Sequence, residues 1–109
     1  MTAGTQQPPG RPRPPAADEA ERTTVVTIAL MWEAKAADGL GEELLRWARE
    51  RRLTPEPARR ETFAAPGGRV LVITWWEGAD DLDAELPELP SPDSALIARP
   101  VHRWRFRQV

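Results

Sequence analysis

In several stretches of the chain apolar residues recur with a period of two, and one stretch has a period near 3.6. In "TTVVTIALMWEA" the alternation puts Val26, Ile28, Leu30 and Trp32 on one face and Val25, Thr27, Ala29 and Met31 on the other. Neither row is strongly polar, which predicts a central strand covered on both sides. "RVLVITWWE" has the same character, with Val70, Val72, Thr74 and Trp76 opposite Leu71, Ile73 and Trp75. Its adjacent indoles must therefore point to opposite faces of the sheet. "ARRETFAA" is charged and poor in large apolar groups, as expected of an edge strand. The turn "PGG" joins it to "RVLVITWWE" as an antiparallel hairpin. In "PVHRWRFRQV", His102, Trp104 and Phe106 alternate with Arg103, Arg105 and Arg107. That rhythm predicts one buried face and one that is wet or charge-paired.

The helical stretch is "ADGLGEELLRWARERRLTP". Leu40, Leu44, Trp47, Ala48 and Arg51 share a face that Leu45 widens, Asp38 is the expected N-cap, and Pro55 is the expected stop. A second crossover, "GADDLDAELPELPSPDSALIARP", starts like a helix at Asp80 or Asp81 but meets Pro87, Pro90 and Pro92. It is expected to form two short helical pieces, the second capped by Ser91 with Pro92 at its first position. The order of strand, helix, strand, strand, broken helix, strand predicts an α+β domain. Its ferredoxin-like βαββαβ arrangement is a four-stranded antiparallel sheet with helices on one face. The other sheet face would then expose Leu71, Ile73 and Trp75, a patch larger than monomers usually tolerate. A two-fold homodimer is the simplest cover.

Composition narrows the functional classes. The 109 residues make one domain, 23–109, after a proline-rich tail, 1–22, expected to be disordered. A net charge of -2 gives no overall electrostatic case for nucleic acid or an anionic membrane. Cysteine is absent, which removes disulfides, thiol catalysis and thiolate metal sites. No apolar run reaches membrane-spanning length and no secretory signal is visible, so a cytoplasmic location is the expectation. "GGRVLVITWWE" does not match the aromatic pattern of RNA-binding ferredoxin-like sheets. With one His, and acids clustered on an expected loop, no metal or cofactor site is expected.

The element order, the ending "ITWWEG" with "WEGADD" from Trp76, and the finish "LIARPVHRWRFRQV" resemble the antibiotic-biosynthesis-monooxygenase-like branch of the dimeric α/β-barrel superfamily. The resemblance spans residues 23–109 and implies a homodimer with its sheets face to face. It also implies a small pocket between sheet and helices in each protomer. Known activities of such proteins include cofactor-independent oxidation of aromatic polyketides and haem degradation. The chain departs from the pattern in having no Asn, no Tyr, a single His and a proline-broken second helix.

Two functions stay open on this reading. One is a cofactor-independent monooxygenase acting on a small aromatic metabolite, with His102 as the catalytic proton acceptor and Trp76, Trp32 and Trp104 as ligand-binding indoles. The other is a non-catalytic ligand-binding, accessory or protein-interaction dimer. For each residue there is a structural counterpart: His102 at the edge of the core, and Trp76 packed on Leu44 and Trp47. Arg99, Arg103, Arg105 and Arg107 form a basic row that could hold an anion. Residues 77–93 carry seven acids and no base, so pairing with that stretch is the simpler account of the row.

Overall fold

The structure is a computed structural model that describes residues 25–109. The expectation for the tail, 1–22, lies outside the described residues. The elements in chain order are β1 (Val26–Lys35), α1 (Gly41–Glu50), β2 (Arg59–Ala65), β3 (Arg69–Ala79) and β4 (His102–Arg107). They form an α+β fold whose single open sheet has the order β2-β3-β1-β4, every neighbouring pair antiparallel. The two strands that are apolar on both faces, β1 and β3, lie in the middle, and the charged β2 and β4 lie at the edges. That placement follows from burial, because only an inner strand can cover both rows of side chains.

One face of the sheet packs on α1. Ile28, Leu30, Trp32 and Ala34 of β1 and Val70, Val72, Thr74 and Trp76 of β3 are buried with Leu44 and Ala48 of α1. The Trp32 and Trp47 rings stack at 6.0 Å with an interplanar angle of 21°. Trp75 points to the opposite, open face, where it shares a row with Ala29, Arg59 and Phe106. The β2–β3 hairpin turns through Gly67 and Gly68 at φ 85° and 75°, a region open to glycine at little cost. A Cβ on Gly68 would also stand 3.1 Å from the Ala36 Cβ.

Three expectations change in the structure. First, α1 is shorter at both ends: Leu40, not Asp38, is the N-cap position and makes no side-chain cap bond, and the helix stops at Glu50. Its C-terminal carbonyls are taken from outside, since Arg60 of β2 donates to the Ala48 and Arg51 carbonyls, both at 2.6 Å. An end satisfied by a neighbouring strand has no need to run on to Pro55. Second, the β3–β4 crossover holds no α-helix among the described residues. It has one 3₁₀ turn, Ser94–Leu96, capped by the side chain of Asp93 rather than Ser91. With Pro87, Pro90 and Pro92 so close together, neither piece gains enough turns for an α-helix. Third, the rows of β4 are reversed relative to a buried aromatic face. Arg103 and Arg105 lie on the α1 side, opposite Trp32 and Leu30, while His102, Trp104 and Phe106 lie on the open face. Trp104 is 45% and Phe106 55% exposed.

Candidate functional site

The α1 side holds a cavity of about 190 Å³ between the sheet and the second crossover. Leu30, Trp32, Val72 and Thr74 line it from β1 and β3, Leu89 from the crossover, and Arg103 and Arg105 from β4. Trp32 is its fixed wall. One side of the indole stacks on Trp47, and its N–H donates to the Pro90 carbonyl at 3.3 Å. Trp32 therefore ties both crossovers to the middle of the sheet.

The crossover is held down chiefly by arginines. Arg103 donates to the Leu89 carbonyl at 2.7 Å, to Ser91 Oγ at 3.3 Å and to Glu88 Oε1 at 3.2 Å. Arg105 donates to the carbonyls of Leu82 and Ala84 at 3.0 and 2.7 Å and to Glu88 Oε2 at 2.6 Å. Two guanidiniums thus share one carboxylate.

The open face has a different centre. Glu33 is 5% exposed near the C-terminal end of β1. Arg99 reaches both of its oxygens at 2.9 and 3.0 Å, and Arg69 Nε reaches Oε2 at 3.0 Å. His102 Nδ1 lies 3.5 Å from Oε1, and its ring meets Trp104 edge-on at 5.6 Å. Burial alone would raise the Glu33 carboxyl; the hydrogen bonds and charges of Arg69 and Arg99 outweigh it and hold the group below the usual carboxylate range. Beside the cluster, Met31, Phe63, Leu71 and Trp104 border a shallower groove of about 240 Å³.

The residues singled out from sequence therefore divide between two faces. Trp32 lines the α1-side cavity. Trp76 is near it but belongs to the core, 6% exposed, with its N–H donating to Thr74 Oγ1 at 2.9 Å. His102 lies across the sheet from Trp32, beside Glu33. Trp104 carries its indole on the open face at the foot of the groove, although the strand around it also borders the cavity. Of the basic row, Arg103 and Arg105 pair with the acidic stretch through Glu88, whereas Arg99 pairs with Glu33. Sequence reasoning did not single out Glu33 or Glu88. Glu33 left a signal, an acid inside an apolar strand at a position with the open-face parity. Glu88, in "LPELP", left none, because its role depends on which residues the crossover crosses.

No helix among the described residues is long and apolar enough to cross a membrane. Nor is there a group of three or more metal-ligating side chains among them. The described residues are thus of the α+β class, an open antiparallel sheet with one α-helix and one irregular crossover over a small cavity. No protein-family model, no curated protein and no solved structure matches the chain.

Proposed function

We propose that this chain forms a homodimer that binds a small aromatic metabolite in the α1-side cavity of each protomer, as a non-catalytic relative of the antibiotic-biosynthesis-monooxygenase-like proteins. The observation that carries this reading is the separation of cavity and histidine. The cavity has an indole wall and an apolar floor, while the chain's only His stands on the opposite face of the sheet, against Glu33. A general base must reach the proton it abstracts directly or through one water. A sheet lies between His102 and a ligand stacked on Trp32. The volume suits a single ring, since an apolar cavity of roughly 150 Å³ accommodates benzene.

The order β2-β3-β1-β4, with crossovers from β1 to β2 and from β3 to β4, supports a ferredoxin-like arrangement. The open face supports the dimer. Phe63, Trp104 and Phe106 are 46%, 45% and 55% exposed there, among Leu71, Ile73 and Trp75. Its cations each have a partner within the face: Arg59 with Glu61, Arg69 and Arg99 with Glu33, and Lys35 with the Gly67 carbonyl. A face whose cations are already engaged suits an apolar copy of itself better than a phosphate backbone, which needs free ones.

Native mass spectrometry of the purified full chain tests both parts. The expected spectrum has twice the chain mass and an added mass from a small aromatic in each protomer. Trp104→Arg should give monomers, and Trp32→Ala should lose the added mass. A wild-type monomer at micromolar concentration would remove the dimer. A dimer that takes up no aromatic compound from a panel of one- and two-ring metabolites would remove the ligand.

A further inference from the structure

Within the binding reading above, on which this step rests, we infer that the ligand is an aromatic monocarboxylate. Its carboxylate would take the place of Glu88 between Arg103 and Arg105, and its ring would lie against Trp32. Arg103 and Arg105 are two positions apart on one strand, so their side chains rise on the same face. Both end on one carboxylate, Oε1 of Glu88 facing Arg103 and Oε2 facing Arg105. Two guanidiniums bridged by the two oxygens of one planar group form a receptor for that group.

Glu88 is the part of this arrangement that can leave. It sits in a stretch without regular secondary structure, so moving it breaks no strand ladder or helix. Its side chain is 35% exposed, and those of Arg103 and Arg105 are 36% and 28%. The two arginines also hold the carbonyls of Leu89, Leu82 and Ala84, which keeps both guanidiniums in place when the carboxylate changes. Exchange of one carboxylate for another keeps both guanidiniums bridged, whereas a neutral ring would leave Glu88 where it is. The apolar lining of Leu30, Val72 and Leu89 accounts for the ring.

Benzoate and its neutral isostere benzamide are the probes. Each is titrated into the full-length protein while the indole N–H resonances are followed by NMR, with that of Trp32 as the reporter. Benzoate should bind severalfold more tightly than benzamide, the size of one partly exposed charge contact. Glu88→Gln removes the internal competitor and should tighten benzoate severalfold while leaving benzamide unchanged. Arg105→Gln should abolish the preference. Equal affinity for the two probes, or benzoate binding indifferent to Glu88→Gln, overturns the carboxylate assignment and leaves the cavity reading standing. If neither probe moves the Trp32 resonance, both fall. Glu88→Gln leaves every arginine–carbonyl bond in place, so its result does not depend on the fold surviving Arg105→Gln.

Discussion

The two crossovers cover the same side of one sheet by different physics. The first is a helix with an apolar stripe. Leu44 and Ala48 are fully buried, Trp47 stacks on Trp32, and the guanidinium of Arg51 lies 4.8 Å over the Trp47 ring. The second has no stripe and no α-helix. Leu89 is its main apolar anchor, and Arg103, Arg105 and the Trp32 indole fasten its backbone by hydrogen bonds. Apolar burial is non-directional and scales with area, so the first crossover should come off only with the whole domain. Hydrogen bonds to partly exposed carbonyls contribute about 0.5–1.5 kcal/mol each, so the second can loosen by itself. A cavity under the looser cover is one that a ligand can enter.

The largest effect should come from the first crossover. Leu44→Ala removes a side chain with no exposure and is expected to cost about 2–5 kcal/mol in urea unfolding, with the slope unchanged. A cost below about 1 kcal/mol would mean that α1 is not held by apolar packing. Next comes the exit of the second crossover, where Arg99 ties the chain to Glu33. Glu33→Gln keeps the shape and removes the charge that two guanidiniums share, so a loss of about 1–3 kcal/mol is expected. Adding Arg99→Gln should cost less than the sum of the two single changes, and strict additivity would show that the pair does not interact. Arg105→Gln is expected to be milder, about 1–2 kcal/mol for the bonds it gives up. Its signature is local: amide exchange should quicken across residues 80–93 and stay at the wild-type rate in α1. Equal quickening in both would erase the contrast between the two covers.

The same contrast explains what could be read from the sequence. The period of 3.6 in "LGEELLRWA" and of two in "VTIALMW" and "RVLVITWW" are local consequences of burial, and they locate α1, β1 and β3 directly. They also assign Trp75 and Trp76 to opposite faces. The alternation in "HRWRFR" gives β4 as a strand but not which row faces inward. Hydropathy assigns the aromatics to the interior. The structure turns the arginines to the α1 side instead, partly exposed beneath the crossover, because the cover they meet is a line of carbonyls and one carboxylate rather than an apolar helix. That partner is distant in sequence, with 14 positions between Arg103 and Leu89 and 23 between Arg105 and Leu82. The α1 boundary fails to register for the same reason, since Arg60 closes the helix from a strand 12 positions beyond Ala48. The cavity inherits this problem. Strand parity puts Trp32 on the α1 side, while Glu88 and the arginines of β4 depend on long-range polar contacts with no periodicity of their own.

The last expected effect is the pH dependence of Glu33, the carboxylate that holds the exit of the second crossover. Glu33 is buried, and Arg69 and Arg99 hold its folded-state value below its unfolded one, against the pull of burial. A depressed carboxyl contributes stability that is fully present above the unfolded value, about 4.3 for Glu, and is lost as the pH falls through the folded value. Between pH 5 and 7 this group should therefore leave stability flat. Below about pH 4 the wild type should lose stability with a steeper slope than Glu33→Gln, by at most the one proton this group takes up, or about 1.4 kcal/mol per pH unit. Urea unfolding of the two proteins at half-unit steps from pH 3 to 6 measures the difference. Converging curves at the acid end would assign the exit of the crossover to Glu33. Parallel curves would mean that Arg69 and Arg99 hold that exit without it, and the first and second crossovers would then differ only in apolar area.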